Sequence, residues 1–246
     1  MARLIPYLSV DCVVFGFDAA RQELKILVYE REIFNDRSGN LNLKFPGSIV
    51  PMEDDLDDSA QKVLFELTGL KNVCLKQFHA FGNPDRIKFD EEKKWAERHY
   101  GVKIDRVVTI AYYALIRIDR HNPEQSKIRD KLKWIAPGKA ENMAFDHSLI
   151  LKYALSALRK DLLLKDVNVF ELLPQKFTLA QLQSLYEAIM GKKLDKRNFR
   201  KKISKANYIK ALDEKQQGVA HKPALLFCFD KNEFERSKED INTFFV

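Results

Sequence analysis

The sequence lacks any apolar run approaching the roughly 20 residues that a membrane-spanning helix needs. It also lacks an opening basic segment followed by an apolar one, so no export signal is indicated. Cysteine is scarce, since Cys12, Cys74 and Cys228 are the three cysteines and lie far apart in apolar runs. This spacing predicts buried, reduced thiols and argues against a disulfide framework or a zinc site. We therefore expect a cytoplasmic protein without a membrane partner.

The sequence is rich in positive charge and in apolar side chains. Its formal net charge of +7 favours polyanionic partners or anionic surfaces, without specifying which. With 46% hydrophobic residues, including 17 Phe, its 246 residues can form one large domain or two ordinary ones. The composition turns basic after about Lys165, which predicts a boundary between 160 and 172. We assign the domains to residues 1–165 and 166–246.

The stretch from Phe177 to Phe229 carries the clearest local signals. Thr178 and Gln181 form a capping-box pattern, in which each side chain satisfies a backbone N–H at a helix start. Gly191 ends this helix, and Asp195 can cap a second one after a short turn. Apolar residues recur at helical spacing in the first helix: Leu179, Leu182, Leu185, Tyr186 and Ile189.

The second helix is strongly basic, and two strand-like runs follow it. Asp195 is the one acidic residue between Lys192 and Lys210. A β-like run at 208–212, a polar loop and an apolar strand at 224–229 complete the order of a winged helix. That motif presents its second helix to the major groove of DNA. The loop carries residues typical of a wing that reaches phosphates or the minor groove: Gly218, His221, Lys222 and Pro223.

The basic helix has two possible interpretations: it is either a DNA-recognition helix or a solvated cationic face. The concentration of charge favours double-stranded DNA as the partner. Arg197, Asn198 and Arg200 are predicted near base edges, because Arg pairs with guanine and Asn with adenine. Four lysines are predicted on phosphates, where they add affinity without sequence information: Lys196, Lys201, Lys205 and Lys222. Thr178 and Gln181 are assigned to helix capping.

The N-terminal two-thirds alternate strand and helix patterns. Strands are predicted at 7–17, 23–29, 41–45, 73–80, 107–118 and 134–135, the first two as a hairpin. Helices are predicted from the acidic start at 53–58 to Leu70, and over 146–160. Residues 87–104 form a charged, aromatic-bearing insertion to which the pattern assigns no structure.

The segment from Leu43 to Leu70 resembles a Nudix box, the strand-loop-helix-loop of pyrophosphohydrolases. Four positions fit the family pattern: Leu64, Glu66, Gly69 and Leu70. Five depart from it: Ser48 stands for Gly, Asp54 for Glu, Lys62 for Arg, and Val63 and Leu67 for Glu. Nudix hydrolysis needs several carboxylates to hold Mg²⁺ against the substrate's phosphates. Since Glu66 is the one helix glutamate that remains, we expect the fold without the hydrolysis: no catalytic residues, no metal site and no cofactor.

A Nudix-like domain followed by a winged helix resembles the Nudix-related transcription regulators of the NrtR and AraR type. The resemblance extends over nearly the whole chain, through the segments at 81–86, 106–115, 143–147, 170–174, 177–179, 194–202 and 221–224. It implies an α+β protein: a Nudix-like α/β/α sandwich with a mixed sheet, then a winged helix-turn-helix domain. It also implies a homodimeric repressor that a metabolite releases from operator DNA. Residues 87–104 depart from the family pattern.

The resemblance implies an effector of L-arabinose or ADP-ribose, and the loss of the metal-binding carboxylates leads us to favour L-arabinose. Six residues on or beside the strands of a Nudix cleft are candidates for the effector site: Tyr7, Asp11, Lys44, Asp85, Arg86 and Tyr112. Each has a plainer alternative: a local Asp85–Arg86 ion pair, a core position for Tyr112, a solvated strand position for Lys44. His147 is predicted to be structural. Two other functions stay open: an active Nudix hydrolase with a basic appendage, and a nucleic-acid-binding or scaffold protein without a ligand.

Overall fold

The computed structural model describes residues 7–31, 42–87, 89–101, 103–104, 106–120, 128–218 and 222–242. The described chain divides into two compact units. The first holds the residues up to Gly16 and from Lys25 to Ala157, and the second holds Phe17–Leu24 and the residues from Leu158 onward. The boundary that we place after residue 165 remains a proposal. Leu41 and His221, which belong to a predicted strand and to the predicted wing, lie outside the described residues.

A seven-stranded mixed sheet organises the first unit. Its strands are β1 (Tyr7–Asp18), β2 (Glu23–Glu30), β3 (Leu43–Lys44), β4 (Gly47–Ile49), β5 (Lys76–Phe81), β6 (Val107–Ile116) and β7 (Leu132–Ile135). The order is β3-β2-β1-β6-β5, with β4 paired to β1 and β7 to β2. β1 and β6 run parallel, and β5 is antiparallel to β6. Eight consecutive residues of β1 are buried, as expected for a central strand covered on both faces.

Three helices belong wholly or mainly to this unit: α1 (Leu56–Thr68), α2 (Asp90–Tyr100) and α3 (His147–Leu163). Asp55 caps α1 by accepting a hydrogen bond from the Asp57 N–H, and Gly69 ends it with φ +76°. Val63 and Leu64 of α1 pack into a core cluster that includes Tyr112. The insertion left without an assigned structure forms α2, which Gly101 terminates with φ +69°. The predicted Nudix-like α/β fold with a mixed sheet is confirmed by the comparisons given below.

The second unit contains α4 (Leu179–Met190), α5 (Lys196–Ile203) and α6 (Lys231–Asn242), and a sheet in the order β8-β10-β9. The strands are β8 (Lys176–Phe177), β9 (Ile209–Lys215) and β10 (Leu225–Phe229), all antiparallel. Both halves of the predicted capping box are present at Thr178 and Gln181. Phe170 stacks on Phe229 with ring centroids 4.1 Å apart. The predicted helix, turn, basic helix, strand, loop and strand of a winged helix are all observed.

Two sequence predictions need correction. The three cysteines are free thiols, but only Cys12 is buried, while Cys74 is exposed and Cys228 is half-buried. Cys74 lies in the loop after α1 and not in a strand, since β5 begins only at Lys76.

Among the described helices, none is both long enough and apolar enough to cross a membrane.

Candidate functional site

The α5 helix separates an apolar face from a basic one. Phe199 and Ile203, four residues apart, are buried, and Phe199 makes an edge contact with Tyr186 of α4. The seven residues predicted to contact DNA are all exposed: Lys196, Arg197, Asn198, Arg200, Lys201, Lys205 and Lys222. Within the described chain, none of their lysines and arginines has an ion-pair partner, so their charges face solvent. An exposed cationic helix surface of this kind can accept the phosphates of a nucleic acid.

Glu187 fixes the turn that sets α5 against α4. Its carboxylate accepts hydrogen bonds from the Leu194 N–H at 3.0 Å, the Gln183 amide at 2.9 Å and the Lys193 ammonium at 2.9 Å. These donors, the Leu194 N–H first, lower the pKa of Glu187 from 4.5 to about 2. Asp195 then starts α5 by accepting from the Asn198 N–H at 2.7 Å. The presentation of the basic face therefore depends on two local carboxylates that the sequence places at the turn.

A cavity of about 50 Å³ lies in the first unit. Its polar lining comes from Ser9, Asp11, Lys44, Ser48, Arg86 and His147. Its apolar lining includes Trp95, Ala96 and Tyr100 of α2, together with Ile104 and Phe145. Three of the six predicted effector residues, Asp11, Lys44 and Arg86, therefore meet at one cavity. Tyr7, Asp85 and Tyr112 are not part of its lining.

Arg86 is the centre of a buried ion cluster. Its guanidinium binds Asp146 through two hydrogen bonds, Nε to Oδ2 at 3.0 Å and Nη2 to Oδ1 at 2.7 Å. Its Nη2 also lies 3.6 Å from Oδ2 of Asp11, which accepts a hydrogen bond from the Thr109 hydroxyl at 2.8 Å. The Asp85–Arg86 alternative is wrong, because Arg86 turns to the distant Asp146 and Asp85 stays exposed. A Cβ on Gly47 would lie 2.0 Å from Asp11, so the cluster also requires glycine there.

His147 is buried beside this cluster and is held in one tautomer. Its Nδ1 accepts a hydrogen bond from the Phe45 N–H at 2.9 Å, and its Nε2 lies 3.5 Å from Oδ1 of Asp11. Burial, with Lys44 nearby, lowers the pKa of His147 well below 6.5. The neutral imidazole therefore presents its proton to Asp11 and stacks on Phe45 with centroids 5.5 Å apart. This arrangement fits the predicted structural role.

The burial of neutral His147 predicts that the first unit loses stability in mild acid. In the unfolded chain this histidine takes up a proton near pH 6.5, whereas the folded chain resists protonation until a lower pH. Unfolding is thus favoured as pH falls through 6.5, by about 1.3 kcal/mol between about pH 7.5 and about pH 5.5. Urea unfolding at the two pH values measures this loss. It should shrink in His147→Asn and persist in His79→Asn, which removes an exposed histidine; an equal loss in both variants would contradict the assignment.

Lys44 does not occupy the solvated position that was its plainer alternative, and Tyr112 does not line the cavity. Lys44 is buried, not solvated, and its Nζ lies 5.2 Å from the ring centroid of Trp95 and 5.8 Å from that of Phe145. Tyr112 points to the α1 side, where its hydroxyl donates to Oδ1 of Asp57 at 2.6 Å. Tyr112 therefore takes its plainer alternative, a core position, and it faces away from the cavity because side chains alternate faces along β6. Trp95, Tyr100, Glu92 and Arg31 were missed, since no local pattern marks them.

The residues that replace the Nudix carboxylates belong to the hydrophobic core or the surface. Val63 is buried and Leu67 packs against the same core cluster. Glu66 is exposed, and Asp54 is paired with Lys62 at 2.7 Å. Among the described residues, no group of three or more His, Cys, Asp or Glu side chains is arranged to hold a metal ion. Of the three helix glutamates of the Nudix pattern, Glu66 is therefore the one position that still presents a carboxylate.

Comparison with known proteins bears directly on the second unit. Residues 169–229 match the family model of the NrtR DNA-binding winged helix domain. These residues of the second unit therefore resemble an NrtR-type winged-helix domain. The ADP-ribose (ADPR) responsive transcriptional repressor NtrR of Acinetobacter baylyi is 28% identical over 235 residues, covering 94% of this chain and 84% of that protein.

Two solved structures show the fold of the whole chain. NrtR of Shewanella oneidensis in complex with a 27mer DNA has a TM-score of 0.68 at 23% identity, covering 93% of this chain and 95% of that one. A MutT/nudix family protein of Enterococcus faecalis has a TM-score of 0.61 at 19% identity, covering 93% and 88%. The chain thus combines a Nudix-like α/β domain with a C-terminal winged-helix domain.

Proposed function

We propose that this NrtR-type protein is a transcriptional repressor that leaves its operator DNA when the Nudix-like domain binds ADP-ribose. The exposed, unpaired basic face of α5 is the observation that carries DNA binding. The match of this same segment to an NrtR DNA-binding domain supports it. We place the protein in the cytoplasm, since its proposed partner is DNA.

ADP-ribose replaces L-arabinose as the preferred effector. The Acinetobacter relative is an ADP-ribose responsive repressor. The cavity is also lined by Lys44, a buried cation whose ammonium lies 3.5 Å from the Gly47 carbonyl oxygen. Cations suit the diphosphate of ADP-ribose better than a neutral pentose, because burying a cation is costly unless an anion compensates it.

We further propose that the chain binds its effector without hydrolysing it. Val63 and Leu67 stand where the Nudix pattern has two glutamates, and they supply no oxygen ligand. The exposed Glu66 is therefore without the carboxylates that the pattern places at these two positions. Incubation with ADP-ribose and Mg²⁺ should yield neither AMP nor ribose 5-phosphate. Turnover that Glu66→Gln abolishes would make the protein an active hydrolase instead.

We propose a homodimer as the DNA-binding form. A dimer that places two recognition helices about one DNA turn apart, roughly 34 Å, can read a palindromic operator. Light scattering coupled to gel filtration should give twice the mass of the 28.7 kDa chain. A monomer both in the absence and in the presence of DNA would contradict a homodimer as the DNA-binding form.

Fluorescence anisotropy on DNA from upstream of the protein's own and neighbouring genes tests the function. ADP-ribose should lower the anisotropy by releasing the DNA, and L-arabinose should leave it unchanged. The release is limited by the difference in ADP-ribose affinity between free and DNA-bound protein, and DNA must weaken ADP-ribose binding by the same factor. Release by L-arabinose alone would restore the sugar-sensing alternative. Specific binding that neither ligand changes would indicate a DNA-binding protein without these effectors.

A further inference from the structure

The α2 helix covers the cavity of the first unit. Trp95, Ala96 and Tyr100 of α2 line it, facing Ser48 of β4 in the same lining. The remaining volume of about 50 Å³ has room for a few water molecules. Pockets that hold small-molecule ligands have roughly 300–1,000 Å³. A ligand as large as ADP-ribose therefore fits this cavity only if α2 moves.

Glu92 of α2 inserts a carboxylate among the cations beside the cavity. Its side chain is 2% exposed and lies 3.8 Å from Nη2 of Arg31, whose side chain is 1% exposed. The same Oε1 atom accepts a hydrogen bond from the Phe145 N–H. Phe145 has φ +56°, a conformation that residues with a side chain rarely adopt. A cation and a backbone N–H that converge on one oxygen are the donors that bind an anion.

Glu92 belongs to a group of buried charges beside the cavity. Asp11 and Asp146 both pair with Arg86. Glu92 lies within ion-pair distance of Arg31, and His147 adds no charge while it stays neutral. Withdrawal of α2 would take this carboxylate away from Arg31, and a buried cation that loses an anion favours another anion in its place.

We propose that Glu92 occupies an anion site of the effector cavity, and that the diphosphate of an incoming ligand binds there by displacing Glu92 together with α2. The proposal rests on the proposed function for its ligand, ADP-ribose. Glu92 of the 87–104 insertion then competes with the ligand for this site, and the competition sets the effector concentration at which the protein responds. A ligand without an anionic group gains nothing from the vacated site.

The composition of α2 fits a helix that can leave its place. Seven of its eleven residues are Asp, Glu, Lys or Arg, and its buried residues are Glu92 and Ala96. Ala96, Trp95 and Tyr100 pack in a small hydrophobic cluster with Ile104 and Val107, and Arg31 and Lys44 lie 5.3 and 5.2 Å from the Trp95 ring centroid. Segments with few buried apolar contacts open at low free-energy cost.

Titration calorimetry of Glu92→Gln against Glu91→Gln tests the proposal. Both variants remove one negative charge from adjacent positions of α2, but Glu91 is exposed. Glu92→Gln should bind ADP-ribose and inorganic pyrophosphate about tenfold more tightly than the unmodified protein, roughly the effect of one charge-assisted contact. Glu91→Gln should bind both as the unmodified protein does, and neither substitution should promote binding of L-arabinose.

The outcomes separate this proposal from the proposed function. If the unmodified protein binds ADP-ribose and Glu92→Gln binds it no better, the competition by Glu92 is disproved and the repressor function stands. If no variant binds ADP-ribose but Glu92→Gln gains affinity for pyrophosphate, the effector assignment fails and the anion site stands. Equal gains in affinity in Glu92→Gln and Glu91→Gln would show that the effect comes from the net charge of the protein, and would overturn the proposal.

A second measurement keeps Glu92 in place. In Trp134→Phe, Trp95 is the one tryptophan of the chain and reports on α2. Saturating ADP-ribose should shift its emission to longer wavelength, because displacement of α2 takes the indole from the cavity into water. ADP-ribose binding, detected by calorimetry, without any change of this emission would overturn the proposal.

Discussion

Replacing Arg197 and Arg200 together by Ala should abolish specific operator binding. Both side chains are exposed near the start of α5, where a recognition helix meets base edges. Each arginine that pairs with a guanine contributes about 1–3 kcal/mol, so the double variant should raise Kd on the order of a thousandfold. Fluorescence anisotropy on operator DNA and on a scrambled duplex of equal length measures the loss, which should be much smaller on the scrambled duplex.

Two further variants distinguish sequence-specific base contacts from the general attraction of positive charge to DNA phosphates. Lys201→Ala removes a predicted phosphate contact, so it should weaken binding to both duplexes equally and reduce the salt slope by about one. Arg129→Ala removes an exposed arginine of the first unit and should change neither. If the arginine double variant loses affinity equally for operator and scrambled DNA, the base-reading role of Arg197 and Arg200 is wrong and α5 acts only through charge.

Replacing Arg86 by Met should destabilise the Nudix-like domain by about 3–5 kcal/mol. The guanidinium is buried between Asp146 and Asp11, and methionine fills similar space without any charge. Two acids would then stay buried without their cation, and that cost exceeds the value of the ion pairs themselves. Urea unfolding followed by tryptophan emission reports on this domain, since Trp95 and Trp134 both belong to the first unit.

The control is Arg98→Met on α2, an exposed arginine whose guanidinium binds the Lys94 carbonyl at 3.2 Å. Its effect should stay within about 0.5 kcal/mol, as is usual for surface substitutions. A loss below about 1 kcal/mol at neutral pH would show that the ion cluster is not the support of this domain that its geometry indicates.

The winged helix could be predicted because its determinants are local. The capping box at Thr178 and Gln181, the left-handed Gly191 and the Asp195 cap each join residues within one or two turns of chain. Spacing along a helix also determines which face is apolar, so Phe199 and Ile203 were assigned to the buried side of α5. The basic residues were then necessarily on the exposed side.

The residues of the cavity could not be grouped from the sequence. Asp11, Arg86 and His147 are distant along the chain. Asp11 lies on β1, Arg86 follows β5, and His147 begins α3. Pairing of β1 with β6 and of β6 with β5 brings the first two segments together. Tyr112 shows the limit directly: its strand was predicted, but the face it occupies depends on which sheet surface α1 covers. Glu92 and Arg31 carried no signal, since a charged residue of a polar segment is ordinarily solvated.

The sequence by itself determined the winged helix, its basic face and the loss of the Nudix carboxylates, because these depend on residue type and short-range spacing. Only the tertiary structure decided which charges are buried together and that α2 covers the cavity. The free energy of a buried ion depends on partners that long-range strand pairing supplies. That pairing places Asp11 against Arg86, and the docking of α2 places Glu92 against Arg31.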